Sequence, residues 1–358
     1  MSGLALFASY TGGYGGSERL LVDFASALEP PVAVACPPGP LAEELRGRGT
    51  EPIPLAPRPL DLRRSIRDRV AAPARLLAFR RELGRAVAER EPALLVAWNS
   101  RALLGAGRLP SGTRLVFQQN ELLPGPLIAR AVRRAARRAD LTIALSRTIA
   151  DDLSLPAEVV PGGVDPGAYE HGWPRPGPRT ALYLGALVGW KRPDLALEAV
   201  ALATRELPDL QLVVAGGPIG DDRAVLEGLR GRAEQPDLAG RVTFAGHVSD
   251  PRRLLAESHC LLHCADREPY GMVMVEALAA GLPVVAPAAG GPVEIVDGSC
   301  GRLYRPGDAE AAAEALAEVL HEPEPLGLAA RRKAEQAHTR EAAQSRYGAL
   351  IEPLRGGQ

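Results

Sequence analysis

One stretch, residues 267–302, restricts the fold more than any other part of the sequence. Apolar residues recur in it at helical spacing from Met272 to Ala279, and Gly281 can close that helix. A wholly apolar run, 282–287, follows at once, as is typical of a strand buried on both faces of a parallel sheet. Open parallel sheets bind ligands beyond the carboxyl ends of their strands. The stretch therefore predicts a parallel α/β sheet with a ligand site at this edge.

The residues that open this helix predict an anion site. Pro269 suits the first helical position, where its missing N–H costs nothing, and Gly271 lets a ligand approach the backbone closely. The amino-terminal end of a helix presents unpaired N–H groups and partial positive charge. We therefore expect the first amides of this helix to face an anionic ligand.

Two glutamates, Glu268 at the mouth of the helix and Glu276 inside it, suggest glycoside hydrolysis at first sight. Eight positions span about 12 Å in a helix, whereas a retaining hydrolase needs its carboxyls roughly 5 Å apart. The spacing instead favours two carboxylates that hold two parts of one long ligand.

A second glycine-rich turn lies near the amino terminus. An apolar run, 4–9, leads into TGGYGGSER and then a helical pattern, which predicts a phosphate-binding strand, turn and helix. Glu18 stands at the third glycine position of a dinucleotide fingerprint, and the next strand ends at Cys36 without an acid to bind a ribose. The pattern therefore disfavours a dehydrogenase.

Taken together, these segments resemble the retaining glycosyltransferases of the group 1 family. The resemblance rests on Glu268, seven intervening residues and Glu276, together with PYG (269–271), EALAAGLPV (276–284) and Gly290-Gly291. It implies an α/β protein of GT-B architecture, with two doubly wound, Rossmann-like parallel-sheet domains facing across a cleft. It also implies hexosyl transfer from a nucleoside diphosphate sugar with retention of anomeric configuration.

The resemblance assigns the carboxylates of the stretch to the donor. Glu268 would orient the sugar hydroxyls close to the developing positive charge, which makes it a catalytic candidate, and Glu276 would hold the nucleotide ribose. The other donor-binding positions of the turn would be Tyr270, Gly271, Met272 and Val273.

The donor diphosphate is assigned by the resemblance to the loop after Gly185. In the family an arginine follows this glycine and acts with a lysine; here Ala186 replaces the arginine, whereas Lys191 keeps the expected spacing. Lys191 is therefore the second catalytic candidate, and Arg192 either substitutes for the arginine or leaves the phosphate less firmly held. Lys191 and Lys333 are the two lysines among 42 basic residues, so a lysine at a motif position carries weight.

Four further donor positions follow from the resemblance. Gly15 and Gly16 would face the donor phosphates, and Val248 and Asp250 would lie near the nucleotide base. A carboxylate at Asp250 could accept from the ring donors of guanine, which favours a GDP-sugar, with a UDP-sugar the alternative.

The acceptor side is expected in the first domain. Loops after the predicted strands 93–98 and 115–118 carry Asn99, Gln119 and Asn120. The family often has a histidine where Gln119 stands. The acceptor, whether a small molecule, a glycan or a lipid-linked sugar, is not readable from the sequence, and neither is the sugar.

Four residues imitate a metal site: His259, Cys260, His263 and Cys264. They read as a buried strand whose alternation points His263 and Cys264 to opposite faces, which favours core packing. We expect neither a metal nor a resident cofactor, because lysine and helix amides would supply the positive charge.

Five arginines fall on one face of a predicted helix: Arg130, Arg133, Arg134, Arg137 and Arg138. A solvated face is one interpretation, and a surface for anionic membrane or a phosphate-bearing acceptor is the other. Four more arginines add to the basic character of this half of the chain: Arg63, Arg64, Arg67 and Arg69.

Length and composition set the outer bounds. The chain has 358 residues, enough for about two domains, and its 46% apolar fraction and net charge of −1 show no bias toward nucleic acid. Its apolar runs fall short of the roughly 18 residues of a membrane helix, and its opening lacks a signal peptide's charged flank. These features and four scattered cysteines predict a cytoplasmic protein with reduced thiols.

We expect the domains to span 1–165 and 179–338, with a Pro- and Gly-rich linker at 166–178. The final segment, 339–358, is expected to be a helix that crosses back to the first domain. Two other functions remain open: a phosphorylase or nucleotide-sugar epimerase on the same architecture, and a nucleotide-sugar binding protein without turnover.

Overall fold

The computed structural model describes residues 3–58, 66–170, 172–218 and 223–356. The chain divides into two compact units. Unit 1 contains Met1–Gly162 with Ala342–Gln358, and unit 2 contains Gly163–Glu341. Among the described residues, no helix is both long and apolar enough to cross a membrane.

Unit 1 is built around a parallel sheet in which seven strands are described, in the order β3-β2-β1-β4-β5-β6-β7. Its strands are β1 Ala5–Ser9, β2 Val32–Cys36, β3 Ile53–Pro54, β4 Leu94–Trp98, β5 Arg114–Gln119, β6 Leu141–Ala144 and β7 Glu158–Val159. Its helices before the crossing into unit 2 are α1 Gly16–Ala25, α2 Pro40–Gly47, α3 Ile66–Arg90, α4 Asn99–Gly105, α5 Gly125–Ala136 and α6 Arg147–Leu153.

The central strands of this sheet are apolar without alternation because both of their faces are covered. Every residue of β1 and of β4 is buried. The strand order reverses between these two strands, so the loops after them meet at a topological switch point.

Unit 2 repeats the plan with the described strand order β10-β9-β8-β11-β12-β13, again all parallel. Its strands are β8 Thr180–Leu184, β9 Gln211–Ala215, β10 Val242–Gly246, β11 Cys260–Leu262, β12 Val284–Pro287 and β13 Gly301–Tyr304. Its helices are α7 Pro193–Ala203, α8 Arg223–Ala233, α9 Arg252–Glu257, α10 Met272–Ala279, α11 Pro292–Ile295, α12 Ala309–His321 and α13 Pro323–Ala337. The switch point of this sheet lies between β8 and β11.

The last helix, α14 (Arg340–Arg355), contributes most of its length to unit 1. Tyr347 on this helix is fully buried and stacks on Phe24 with 4.3 Å between ring centroids. The buried guanidinium of Arg355 donates to the carbonyl oxygens of Gly3 and Pro31, each at 3.0 Å. The carboxyl terminus is thereby fixed to the first strands of unit 1.

The segment predicted as a linker, 166–178, differs from a free connection. It belongs to unit 2, where Arg175 is 7% exposed and donates to carbonyl oxygens at the ends of α9 and α10, among them those of Leu255 at 2.5 Å and Ala280 at 2.6 Å. The indole N–H of Trp173 donates to the carbonyl of Gly281 at 3.1 Å. The segment packs because carbonyls at helix ends need donors from outside the helix.

Candidate functional site

Two loops of unit 2 bring Lys191 and Glu268 together. Lys191 ends a single 3-10 turn, Gly189–Lys191, after β8, and Glu268 follows β11. The Nζ of Lys191 donates to Oε2 of Glu268, a residue only 6% exposed. Because β8 and β11 flank the switch point, the pair occupies the edge at which open parallel sheets bind ligands.

His263 is a third member of this cluster, and the sequence had assigned it to core packing alone. Its Nε2 lies 3.3 Å from Oε2 of Glu268, and its carbonyl accepts from the Tyr304 hydroxyl at 3.1 Å. Burial lowers the pKa of His263, so the imidazole is neutral near pH 7 and Lys191 is the charged partner of Glu268. In the sequence, the position of His263 between β11 and Glu268 was the one sign that it could lie near this carboxylate.

Glu268 is held as an anion. Burial by itself would raise the pKa of its carboxyl, but the adjacent His263 imidazole and the charge of Lys191 outweigh burial and lower the pKa to about 2. A buried, ionised carboxylate beside a cation is suited to hold hydroxyl groups and to stabilise positive charge that develops nearby.

The turn after Glu268 differs in detail from the predicted helix start. The prediction that Pro269 occupies the first helical position is wrong, because Gly271 has φ +106° and takes the backbone out of the helical region before α10 begins at Met272. The first amides of α10 are therefore those of Met272 and Val273, both half-buried. Gly281, with φ +63°, follows the helix as predicted.

Gly290 and Gly291 pack against the backbone of this turn. The N–H of Gly291 donates to the carbonyl of Glu268 at 2.8 Å. A Cβ at Gly290 would lie 2.5 Å from that same carbonyl oxygen, and a Cβ at Gly291 would lie 2.2 Å from the carbonyl oxygen of Tyr270. Gly290 and Gly291 therefore allow a close backbone packing that determines the position of Glu268.

The loop that carries Lys191 is closed by Tyr183, a residue that the sequence did not single out. Its hydroxyl lies 3.2 Å from the carbonyl oxygen of Ala186 and 3.3 Å from that of Lys191. Gly185 donates its N–H to the carbonyl of Ala215 at 3.0 Å, where β8 and β9 end. The loop is therefore anchored at both of its ends.

Arg192 does not present a free charge. Its guanidinium contacts the carboxylate of Asp194, with Nη2 and Oδ2 2.8 Å apart, and that of Asp266, with Nη1 and Oδ1 3.2 Å apart. Arg192 was predicted either to substitute for the arginine missing at Ala186 or to leave the phosphate less firmly held. Its guanidinium is instead bound to two carboxylates of this loop region.

Two predicted donor contacts are buried on unit 2. Glu276, on α10, is 3% exposed. Tyr270 is 2% exposed, and its hydroxyl lies 3.4 Å from Nδ1 of His338. The phenol of Tyr270 is therefore turned into the protein.

Val248 and Asp250 follow β10. The carboxylate of Asp250 is bound by Arg252, with Oδ1 2.9 Å from its Nε and 3.1 Å from its backbone N. These hydrogen bonds and the charge of Arg252 lower the pKa of Asp250 to about 2. A guanine base would have to share this carboxylate with Arg252.

In unit 1, the predicted acceptor-side residues gather around Ser17, which the sequence did not identify. The Ser17 hydroxyl oxygen accepts from Trp98 Nε1 at 3.0 Å, Asn99 Nδ2 at 3.1 Å and Asn120 Nδ2 at 3.4 Å. Asn99 has φ +68° and begins α4, so it does not lie in the predicted loop. Asn99 and Asn120 nevertheless meet, since Asn99 Oδ1 accepts from the Asn120 N–H at 3.0 Å.

Gln119 is tied into the same edge of the sheet. It is 1% exposed, accepts from the Ser100 hydroxyl at 3.0 Å and donates to the Glu121 carbonyl at 2.6 Å. The Gln119 amide, hydrogen-bonded at both its oxygen and its nitrogen, holds the loop in place.

The glycine turn of unit 1 carries a carboxylate of its own. Oε2 of Glu18 accepts from the Gly15 N–H at 3.1 Å at the start of α1, as in a capping box. Burial raises the pKa of Glu18. The Gly15 amide is therefore already bonded, whereas Gly16, the first residue of α1, is only half-buried.

Comparison with known proteins decides the family. Residues 172–340 match the family described as glycosyl transferases group 1, and residues 14–168 match the family described as glycosyltransferase family 4. The chain carries a group 1 glycosyltransferase domain. The resemblance read from its motifs is confirmed.

Relatives of the chain include two proteins named D-inositol 3-phosphate glycosyltransferase. That of Mycolicibacterium paratuberculosis is 37% identical over 155 residues, which is 42% of this chain and 34% of the relative. That of Streptomyces coelicolor is 34% identical over 183 residues, which is 46% of this chain and 40% of the relative. The matched part thus covers well under half of each relative's length.

Solved structures show the same fold. Anabaena Alr3699/HepE in complex with UDP-glucose has a TM-score of 0.82 and 21% identity, over 98% of this chain and 100% of that chain. Sucrose-phosphate synthase from Thermosynechococcus elongatus has a TM-score of 0.77 and 19% identity, over 99% of each chain. The predicted GT-B class, with two doubly wound parallel-sheet units, is confirmed.

Apart from His263, the residues that imitated a metal site are buried within unit 2: His259, Cys260 and Cys264. Nδ1 of His259 accepts from the Thr180 N–H at 3.2 Å, and burial raises the pKa values of the Cys260 and Cys264 thiols. In the part of the chain that the structure describes, no group of three or more His, Cys, Asp or Glu side chains is placed to hold a metal ion.

The predicted arginine face is divided. Helix α5 ends at Ala136, Arg133 donates to the carbonyl of Asp152 at 2.7 Å, and Arg138 donates to that of Gly107 at 2.8 Å. Three other arginines on this segment are exposed: Arg130, Arg134 and Arg137. Arg63 and Arg64, and the side chains of Arg67 and Arg69, lie outside the described residues. Membrane contact through this face stays a prediction.

Proposed function

We propose that this protein transfers a hexosyl group from a nucleoside diphosphate sugar to a hydroxyl acceptor with retention of anomeric configuration. The observation that carries the proposal is the Lys191–Glu268 pair at the switch point of unit 2, where the chain turns from Glu268 into the first residues of α10. A lysine and helix amides suit a departing diphosphate, and an ionised carboxylate suits a cationic sugar. The match to the group 1 family supports the same reaction.

The proposed step breaks the bond between the sugar C1 and the diphosphate oxygen, and the electron pair leaves with the phosphate. The acceptor oxygen forms its bond to C1 on the same face, and its proton passes to the departing phosphate oxygen. Lys191 and the amides of Met272 and Val273 would stabilise the leaving group. Glu268 would orient the sugar hydroxyls, and Glu276 would hold the ribose. Glu268 is not needed as a covalent nucleophile in this scheme.

We propose a UDP-sugar as the donor, ahead of a GDP-sugar. The HepE structures that share this fold hold UDP or UDP-glucose. The sequence argument for guanine is weakened because the Asp250 carboxylate is bound to Arg252. Val248 and Asp250 would then lie near a uracil ring, and Gly16 is the better placed of the two glycines to offer an amide to the donor phosphates.

For the acceptor, the names of the relatives suggest a cyclic polyol phosphate as the first compound to test. Asn99 and Asn120 would bind it, while Gln119 keeps their loop in place. Neither assignment needs a metal ion, because Lys191 and helix amides carry the positive charge.

A thermal-shift panel of UDP-, GDP-, ADP- and dTDP-sugars tests the donor, since a ligand that binds the native state raises the melting temperature. We expect UDP-sugars to give the largest shift, and NMR of the product to show the donor's anomeric configuration. Stabilisation by none of the four would contradict the proposal. So would release of a sugar phosphate, or epimerisation without acceptor, which would indicate the phosphorylase or epimerase alternative.

A further inference from the structure

We propose that Arg192 is a positioning residue that fixes the Lys191 turn to the Glu268 loop through Asp266, and that it does not bind the donor diphosphate. The inference rests on the proposed function, because it assigns Lys191 as the group that meets the diphosphate. In the family, an arginine at the position of Ala186 acts with the lysine on the diphosphate. We infer that Arg192 does not take over that role.

The surroundings of Arg192 are already anionic. Its Nε lies 3.1 and 3.0 Å from the two carboxylate oxygens of Asp194, and its Nη1 lies 3.2 Å from Oδ1 of Asp266. A diphosphate brought to this guanidinium would meet two like charges at contact distance, which disfavours binding. The planar fork of arginine matches carboxylate geometry, so the contacts that are present satisfy it.

Through Asp266, Arg192 connects the turn that carries Lys191 to the loop that carries Glu268. Arg192 follows Lys191 directly, and Asp266 precedes Glu268 by two positions. A backbone bond reinforces the connection, since the Asp266 N–H donates to the Trp190 carbonyl at 3.0 Å. The side-chain and backbone bonds therefore tie the 3-10 turn to the loop after β11 immediately beside the pair.

Tyr183 and Trp190 also contact Lys191 at the end of the 3-10 turn. The Tyr183 hydroxyl lies 3.3 Å from the carbonyl oxygen of Lys191, and the Nζ of Lys191 lies 4.4 Å from the centroid of the Trp190 ring. Loss of the Arg192 contact should therefore leave unit 2 folded but allow Lys191 to move relative to Glu268. Small misplacements of a catalytic group lower turnover more than they lower binding.

Replacement of Asp266 separates the two roles of Arg192. If Arg192 bound the diphosphate, Asp266→Asn would release a guanidinium and leave donor affinity equal or higher. If Arg192 positions Lys191, Asp266→Asn and Arg192→Gln break the same connection. Each should then lower kcat by a similar factor, and the double variant should be no worse than the single ones.

Arg232 provides a matched control. It also binds two carboxylates, with Nε 2.7 Å from Glu198 Oε1 and Nη2 2.9 Å from Asp237 Oδ2. Its side chain is 26% exposed, against 29% for Arg192. It joins α7 to α8 instead of the Lys191 turn to the Glu268 loop, so Arg232→Gln should leave turnover unchanged.

The experiment measures kcat, donor KM and the Kd of UDP for the wild type, the two single variants, the double variant and Arg232→Gln. We expect kcat to fall about 10- to 100-fold in Arg192→Gln and Asp266→Asn, and the Kd of UDP to change by the same factor in both, because both variants release the same lysine. A tenfold weaker UDP complex in Arg192→Gln but not in Asp266→Asn would overturn the inference. Additive losses in the double variant would do the same.

A second readout does not depend on turnover. The chain has two lysines, so reductive ¹³C-methylation gives separate NMR signals for Lys191 and Lys333. The Lys191 signal should move alike in Arg192→Gln and Asp266→Asn and stay in place in Arg232→Gln. An unmoved signal would contradict the positioning role. A wild type that neither binds UDP nor turns over would refute the proposed function alone.

Discussion

Lys191 is the residue on which the proposed chemistry depends most, because its Nζ meets the buried carboxylate of Glu268. Lys191→Ala should lower kcat by about 100-fold or more, as loss of a preorganised charge does. Lys333→Ala is the control, because Lys333 is paired with Asp297 at 2.5 Å, apart from the pair. A steady-state assay that finds kcat unchanged in Lys191→Ala would remove the lysine from the mechanism.

The pKa of Glu268 predicts a pH dependence of stability. The pKa is lowered to about 2 in the folded protein, against roughly 4.3 for a free glutamate. The ionised carboxylate therefore stabilises the fold fully above pH about 4.3, and this contribution is lost as the pH falls toward 2. Urea unfolding should show a difference between wild type and Glu268→Gln that is constant from pH 5 to 8 and shrinks in acid. A difference that grows in acid would contradict the assignment.

For single residues, the sequence predicted the main residues of the site better than it predicted the residues that contact them. Lys191 and Glu268 follow from motif spacing, and the structure brings them together. His263 and Tyr183 lie near Glu268 and Lys191 in the sequence, but they belong to apolar runs that indicate only buried strands. Ser17 was missed because it bonds to Trp98, which is distant in the chain, and local patterns do not reveal such a contact. The surroundings of Arg192 were missed for the same reason, since Asp266 lies on another loop.

Among the elements, the turn between β11 and α10 depends on the glycines of the following loop. Gly291→Ala would put a Cβ 2.2 Å from the Tyr270 carbonyl oxygen, and overpacking of this kind costs about 1–3 kcal/mol. Gly298→Ala is the control, because a Cβ there has nothing within 4 Å. Urea unfolding should give a lower free energy of unfolding for Gly291→Ala than for Gly298→Ala. Equal values would show that the turn accommodates the added methyl group without loss of stability.

Element boundaries were predicted well where hydrophobic periodicity is long and less well where single residues decide. Helix α10 begins at Met272 because Gly271 leaves the helical region, although Pro269 is an acceptable first residue by composition. The two-residue strands β3 and β7 were not predicted, since so short a segment has no measurable alternation. Helix α4 was missed because it starts directly at the end of a strand.

For the whole molecule, two parallel α/β units were predicted from the family resemblance, and the length and the buried apolar runs of the chain agree with it. Continuous apolar strands separated by helical patterns have few other solutions. The path of the chain between the units was harder to predict. Pro and Gly richness at 166–178 indicated a linker, whereas the guanidinium of Arg175 binds that segment to unit 2 through carbonyls distant in sequence.

The proposed charge arrangement also predicts how the whole enzyme responds to a chelator. Because Lys191 and the α10 amides are assigned to the leaving group, transfer should continue at an undiminished rate in EDTA. The assay should compare EDTA-treated enzyme with the same enzyme after Mg²⁺ or Mn²⁺ is restored. A rate that disappears in EDTA and returns with the metal would show that a cation, not Lys191 alone, balances the diphosphate.

Calorimetric titration of UDP tests the central claim most directly. The account predicts saturable binding at one site, weakened about 10-fold or more by Lys191→Ala, because a hydrogen bond to a charged group contributes about 1.5–3 kcal/mol. Glu276→Ala should weaken it as well through the ribose. Absence of UDP binding to the wild type, or equal affinity in all three proteins, would contradict the claim that this turn of unit 2 holds the nucleotide.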